Sequence, residues 1–123
     1  MIIAIDFDGT CVTHEYPYIG KEIGAVPVLQ ELVQKGHKLL LWSMRSGKEL
    51  EEAEAWFNDH GITLWASNKN PEQTWTTSNK QYAHLYIDDT ALGCPLKYSA
   101  ELSKRPFVDW DTVRNYLQTL GAL

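Results

Sequence analysis

Short apolar runs alternate along this chain with segments of helical periodicity, and this alternation constrains the fold more than any other feature. Residues 2–5, 39–42 and 84–87 are mostly apolar runs that each end in polar side chains. Strands that are covered on both faces of a parallel sheet have this pattern. Amphipathic segments at residues 26–35 and 46–61 separate the first runs. The order predicts an α/β fold with a doubly wound, Rossmann-like parallel sheet flanked by helices.

Shorter signals predict the remaining elements. Residues 62–65 are predicted to form a further strand. Residues 106–108 are predicted to form an edge strand, because proline is tolerated only at sheet edges and strand starts. Asp109 is the expected N-cap of a last helix. Ser46 and Glu49 form an expected capping box at the start of an earlier helix. With 123 residues, the chain is expected to fold as a single domain over residues 1–123.

Composition and charge limit the partners and the cellular compartment that we expect for this domain. Sixteen acidic and eleven basic residues give a net charge of -5, the wrong sign for binding the many phosphates of a long nucleic acid. Two cysteines are too few for a disulfide scaffold, and neither lies in a zinc-binding pattern. The start of the chain lacks a basic segment followed by an apolar one, and no apolar run is long enough to span a membrane. We therefore expect a cytoplasmic protein without a membrane partner.

Two carboxylates follow the first predicted strand, in the sequence Asp6-Phe7-Asp8-Gly9-Thr10. Ligands of open parallel sheets bind at the carboxyl ends of the strands. In extended backbone, Asp6 and Asp8 point to the same side, and Gly9 allows the chain to turn away sharply. The alternative is a polar strand end followed by a turn. The pattern favours a binding site at this end of the sheet.

A second acidic pair, Asp88-Asp89, follows residues 84–87 in the same way. Adjacent carboxylates repel each other unless a cation lies between them or one stays protonated. Taken alone, the pair could equally be a solvated turn. Because parallel strands direct both pairs into one crevice, the sequence predicts a site for a hard cation such as Mg²⁺.

Two further polar residues complete a recognisable order. Ser43 follows the second predicted strand, and Lys80 precedes the Asp88 strand, with Lys69 as the rival lysine. The order DxDGT, serine, lysine and DD resembles the four motifs of the haloacid dehalogenase (HAD) superfamily of phosphohydrolases. The match spans residues 6–89. It implies a HAD-like core and a Mg²⁺-dependent phosphomonoesterase.

The resemblance also implies roles for the acidic residues. Asp6 would be the nucleophile that forms an aspartyl-phosphate, and Asp8 would be the general acid and base. Magnesium would be held by Asp6, by the backbone carbonyl of Asp8 and by one residue of the last pair. Asp89 is the preferred direct ligand, and Asp88 is the nearby support.

The remaining implied contacts are with the phosphate. Ser43 would donate to a phosphate oxygen, and Lys80 would neutralise the attacking carboxylate and the transferred group. The amides of Gly9 and Thr10 would add donors. Arg45 is either a substrate contact or an ordinary exposed arginine.

The cap domain that many HAD enzymes carry is missing from this sequence. Residues 11–24 leave room only for a flap, in which His14 and Tyr16 are candidate substrate contacts. Residues 46–80 hold one helix, one strand and a loop. A small phosphorylated substrate, such as a mononucleotide, would therefore meet an open site. Either the substrate closes this site itself, or a neighbouring subunit of a homo-oligomer supplies the lid.

Two other classes of protein remain as alternatives. A receiver-like phosphoacceptor also has clustered aspartates, a serine or threonine and a lysine on such a sheet, but its lysine comes last. Here Lys80 precedes Asp88 and Asp89. A noncatalytic binding module that has kept the site is the third reading.

Overall fold

A computed structural model describes residues 1–123. Four parallel strands form the main sheet in the spatial order β3-β2-β1-β4: β1 (Ile2–Ile5), β2 (Lys38–Leu41), β3 (Ala66–Ser67) and β4 (Leu85–Ile87). Three helices accompany it: α1 (Ala25–Gln34), α2 (Gly47–Asp59) and α3 (Trp110–Thr119). The prediction of an α/β fold with a parallel sheet is confirmed. No helix has the length and apolar character that crossing a membrane requires.

The helices cover one face of the sheet. Alternate strand residues such as Ile3 and Leu39 share one apolar core with buried residues from all three helices. The intervening residues Ala4 and Leu40 belong to a second, smaller cluster that contains Ala83 and no helical residue. The buried helical residues therefore pack against one face, and the finer prediction of a doubly wound sheet is not confirmed.

The sequence after β3 explains why the second face lacks a helix. Residues 68–80 are almost entirely polar, apart from Pro71 and Trp75, and have no apolar helical period. They form turns and loop instead, and Tyr86 on that face of β4 stays 42% exposed. This region leaves the second face of the sheet partly open.

The short strands differ from the predicted ones in position or in pairing. The strand expected at residues 62–65 forms later, as β3, with pairing that starts where the Trp65 amide donates to Leu39 O at 2.8 Å. The predicted edge strand is β6 (Phe107–Val108), which pairs antiparallel with the unpredicted β5 (Leu96–Lys97) in a separate two-stranded sheet.

The two predicted helix caps had different outcomes. Asp109 accepts a hydrogen bond from the Thr112 amide at the start of α3, as expected. Ser46 precedes α2 but makes no side-chain cap, so the predicted capping box is wrong. The first residues of α2 are exposed, and water can bond their free amides instead.

The loop after β1 is anchored by the end of the chain. The Trp110 indole Nε1 of α3 donates to Thr10 O at 2.7 Å, and the Val108 amide of β6 donates to Gly9 O at 3.1 Å. These two bonds hold the Asp6–Thr10 segment at the carboxyl end of the sheet.

Candidate active site

A cavity of about 670 Å³ lies where β1, β2 and β4 end. Its lining includes both predicted acidic pairs, the predicted serine and part of the flap. The full lining is Asp6, Asp8, His14, Tyr16, Trp42, Ser43, Met44, Arg45, Asp88, Asp89, Thr90 and Arg105. The strand-end rule therefore located the cavity correctly.

Three carboxylates converge in this cavity. Oxygens of Asp6, Asp88 and Asp89 lie within 4.8 Å of one another. The Thr10 hydroxyl bridges two of them, because it donates to Asp6 Oδ2 at 2.7 Å and accepts from the Asp89 amide at 3.0 Å. Thr10 thus sets the spacing between the end of β1 and the end of β4.

These carboxylates lack a cationic partner within the chain. No salt bridge of the structure includes Asp6, Asp88 or Asp89. Burial raises the pKa of Asp6 to about 8, and the neighbouring charges of Asp88 and Asp89 push it in the same direction against the Thr10 hydrogen bond. Burial also raises the pKa of Asp89. A bound cation would relieve this strain, because it favours the ionised form of every carboxylate around it.

The donor set fits Mg²⁺. Asp6, Asp88 and Asp89 supply the hard oxygen ligands that this ion prefers. The backbone carbonyl of Asp8 accepts no hydrogen bond from the chain, so its oxygen is free for a ligand as well.

Gly9 is required by the same cluster. It adopts φ +81, and a Cβ at this position would collide with Oδ2 of Asp89. Any other residue would have to displace the Asp89 side chain.

Asp8 has a different environment from Asp6. Its two carboxylate oxygens accept from Arg45 Nη2 at 2.7 Å and Arg45 Nε at 2.8 Å. Arg45 is only 2% exposed, so the predicted alternative of an ordinary exposed arginine is wrong. Arg45 does line the cavity, and its contact with a substrate stays a prediction. Flap carbonyls of Pro17 and Tyr18 accept further hydrogen bonds from the same buried guanidinium.

Ser43 is held from both sides. Its amide donates to Asn68 Oδ1 at 2.8 Å, and its Oγ accepts from the Arg45 amide at 3.0 Å. The Ser43 hydroxyl proton stays available for a ligand. Asn68 has φ 54, a left-handed conformation that asparagine tolerates better than most residues.

The predicted amide donors are replaced by neighbours. Gly9 N–H donates to Val12 O at 2.8 Å and Thr10 N–H to Phe7 O at 3.1 Å, so neither is free for phosphate. These bonds form because the chain turns back on itself immediately after Asp8. The amides of Phe7 and Asp8 donate to no atom of the chain, although Phe7 is completely buried. They are the free donors at the end of β1.

The predicted lysine does not line the cavity. Lys80 Nζ lies 5.9 Å from the ring centre of Tyr86, on the face of the sheet without helices, and Lys69 does not line the cavity either. Arg105, from the loop between β5 and β6, does line it and is exposed. The sequence analysis missed Arg105 because no motif precedes it.

Part of the flap lines the cavity, and its contact with a substrate stays a prediction. His14 and Tyr16 both line the cavity, whereas Tyr18 does not. Trp42, Met44 and Thr90 also line it and were not predicted, although each directly follows or adjoins a predicted motif residue. No residue of the 68–79 segment is part of the lining, so this segment does not form a lid.

Comparisons with known proteins identify a relative. No family model and no curated protein matches the chain. It is similar to the solved structure of a conserved protein coded by a locus of Bacteroides thetaiotaomicron, at 40% identity and a TM-score of 0.79. The similarity covers 97% of this chain and 90% of that chain. The chain therefore belongs to the same family as this conserved protein.

Proposed function

We propose that this protein is a Mg²⁺-dependent phosphomonoesterase of the HAD type. The observation that carries the proposal is the cluster of Asp6, Asp88 and Asp89 at the ends of β1 and β4, which has no counter-charge from the chain. Uncompensated carboxylates beside free amide donors suit a cation together with a phosphate group. The parallel sheet and the order of the motif residues along it support the same proposal.

Magnesium would be held by Asp6, by the carbonyl of Asp8 and by Asp89, with Asp88 as support. When bound, the ion would neutralise negative charge on the phosphate and on the carboxylates around it.

Asp6 is the proposed nucleophile. A carboxylate oxygen of Asp6 attacks phosphorus while the ester P–O bond breaks and the leaving oxygen takes a proton from Asp8. A water molecule then attacks the aspartyl-phosphate, Asp8 takes a proton from it, and the bond between Asp6 and phosphorus breaks. Arg45 uses two of the roughly four lone-pair positions of the Asp8 carboxylate, so the others remain for this proton.

Other residues of the chain bind the phosphate oxygens. The Ser43 hydroxyl and the amides of Phe7 and Asp8 are the proposed hydrogen-bond donors. Arg105 is the proposed cation at the cavity rim in place of Lys80. Charge-assisted donors of this kind stabilise the transferred group most where water is partly excluded.

The substrate class follows from the open cavity. Tyr16, Trp42 and Met44 line the cavity beside the carboxylates, so a phosphate ester with an apolar or aromatic body would find contacts. The substrate itself or a neighbouring subunit would have to cover this opening.

The test is phosphate release from an aryl phosphate, followed by a panel of nucleotides, sugar phosphates and end-phosphorylated oligonucleotides. We expect release that requires Mg²⁺ and stops when EDTA is added. Equal phosphate release in the presence and in the absence of EDTA would contradict the proposal.

A further inference from the structure

Arg45 has every hydrogen-bond donor of its side chain engaged. A guanidinium has five N–H donors in a planar fork. The Nε–H group and one N–H group of Nη2 donate to the Asp8 carboxylate, at 2.8 and 2.7 Å. The other three donors bond backbone carbonyls, at 2.8 to 3.3 Å: Nη2 to Tyr18, and Nη1 to Pro17 and Glu49. A fully buried guanidinium thus finds five acceptors on three separate parts of the chain.

The partners of Arg45 come from the loop after β1, the flap and the first turns of α2. Asp8 belongs to the loop, Pro17 and Tyr18 belong to the flap, and Glu49 belongs to α2. Two aromatic rings, Phe7 and Tyr16, add contacts with the guanidinium carbon, with ring centres at 5.1 and 5.2 Å. Tyr16 also lines the cavity, so the group that holds Asp8 is covered by a residue of the substrate-facing flap.

A cation needed only to balance Asp8 would not require this arrangement. A lysine could supply the charge, but its ammonium has three donors and no planar fork. The backbone hydrogen bond that residues 16–18 make with the chain stays inside the flap, from the Tyr18 amide to Glu15 O. The bonds from Arg45 to Pro17 O and Tyr18 O are therefore their hydrogen bonds to the rest of the molecule.

We propose that Arg45 is a positioning residue that couples the flap to Asp8. It fixes the direction of the Asp8 carboxylate and holds residues 16–18 over it, so release of the flap and displacement of Asp8 occur together. The coupling itself follows from the contacts of Arg45. Its effect on turnover rests on the proposed phosphatase function.

The first test measures the flap without using activity. Amide hydrogen exchange is followed for residues 14–22 and for α3 in the wild type, in Arg45→Lys and in Asp8→Asn. We expect both variants to raise exchange of the Tyr18 amide by about tenfold or more, because each removes hydrogen bonds between charged groups. Exchange in α3 should not change. Arg114→Lys is the matched control, because Arg114 pairs with Glu31 away from the cavity.

The outcomes separate coupling from local packing. Unchanged flap exchange in Arg45→Lys would overturn the proposal, whatever the enzyme activity. If Arg45→Lys does not fold, Asp8→Asn decides, since its side chain is nearly isosteric. A rigid flap in Asp8→Asn would show that Asp8 and the flap are not coupled.

The second test is a double-mutant cycle on aryl phosphate hydrolysis. Arg45→Lys should lower kcat roughly 10-fold to 100-fold with little change in KM or in Mg²⁺ affinity by calorimetry. In the Asp8→Asn background, the same substitution should lower kcat less than about threefold, because its effect passes through Asp8. Additive losses would contradict a positioning role. If the wild type releases no phosphate at all, the proposed function fails, and the exchange experiment still tests the coupling.

Discussion

Two acidic centres line one cavity, and only one of them is paired with a cation of the chain. Asp8 receives a buried arginine that bonds both of its oxygens. Asp6 and Asp89 accept hydrogen bonds from the Thr10 hydroxyl and Asp88 accepts one from the Thr90 hydroxyl. None of the three is paired with a cation of the chain. The difference indicates which carboxylate is fixed by the fold and which ones are left for a ligand. An acidic cluster without its own counter-charge is the stronger sign of a cation site.

The same comparison appears in the effect of each centre on stability. A buried charge is costly unless it is paired, and the pairing of Asp8 with Arg45 meets that condition. At Asp6 the cost is visible as a pKa of about 8, which means that the protonated acid is favoured at neutral pH when no cation is bound. Substitutions at the two centres should therefore have different consequences.

The largest expected effect is on turnover. Asp6→Asn should reduce Mg²⁺-dependent phosphate release from an aryl phosphate by more than about 10³-fold, because it removes the only proposed nucleophile. Asp8→Asn should reduce kcat by about 10² to 10⁴, the usual range for loss of a general acid and base. Steady-state kinetics of both variants, purified in parallel, measure this. Asp59→Asn on the exposed end of α2 is the matched control, and full activity in Asp6→Asn would remove the mechanism.

Metal affinity should separate the two centres next. Asp89→Ala should weaken Mg²⁺ binding by about 10-fold to 100-fold, and Asp88→Ala by less. Asp8→Asn should leave the affinity nearly unchanged, since the proposed contact of Asp8 with the metal is its backbone carbonyl. Calorimetric titration of the three variants decides the assignment. A larger loss in Asp88→Ala would exchange the roles of the two adjacent aspartates.

A third comparison concerns the two candidate cations for the phosphate. Arg105→Ala should lower kcat/KM by about tenfold, because an exposed guanidinium at the rim interacts with substrate charge. Lys80→Ala should lower it less than about twofold, since Lys80 does not line the cavity. Both variants should bind Mg²⁺ normally. A severe loss in Lys80→Ala would mean that the lysine reaches the phosphate during the reaction.

The contrast between Lys80 and Asp6 shows what the sequence could predict. Asp6, Asp8, Ser43, Asp88 and Asp89 were found because each follows a strand of a parallel sheet, and that rule is local. Lys80 was chosen from its place in a motif order, and no local pattern fixes where a polar loop without a helical or strand period directs its side chains.

Arg45 and Arg105 show what could not be predicted from the sequence. Arg45 contacts residues that lie 27, 28 and 37 positions away in the sequence, so the residues around Ser43 do not predict these contacts. Arg105 reaches the cavity only because β5 and β6 form a small sheet that the sequence did not reveal. The helix-free face of the main sheet was missed for a related reason, since apolar strand runs alone do not say what covers them.

Thermal stability should give opposite signs at the two centres. The folded-state pKa of Asp6, about 8, lies above its ordinary value of 3.8, so between these values the folded protein binds more protons than the unfolded chain. The free energy of unfolding of the metal-free protein should therefore fall as pH rises through this window. At pH 8 in EDTA, Asp6→Asn should raise Tm by about 4 °C, the equivalent of about 1 kcal/mol in a domain of this size. Asp8→Asn should lower Tm at the same pH, because it leaves Arg45 without its charged partner.

Melting curves in EDTA at pH 5.5 and pH 8, with and without added Mg²⁺, test these signs. Magnesium should raise Tm of the wild type more at pH 8 than at pH 5.5, because the cation favours ionised carboxylates. A Tm of Asp6→Asn below that of the wild type at pH 8 in EDTA would show that the acidic cluster is not strained.

The smallest expected effect lies in the flap, where two tyrosines two positions apart have different exposure to the cavity. Tyr16 lines the cavity and also covers Arg45, whereas Tyr18 is 76% exposed and contributes only its carbonyl to Arg45. Tyr16→Ala should change the ratio of kcat/KM between a nucleoside monophosphate and a sugar phosphate by about threefold to tenfold, because one aromatic contact is worth about 1 kcal/mol. Tyr18→Ala is the matched control and should leave this ratio unchanged. Equal changes in both variants would mean that the flap acts as a whole through Arg45, and no change in either would place substrate selection on Trp42 and Met44 instead.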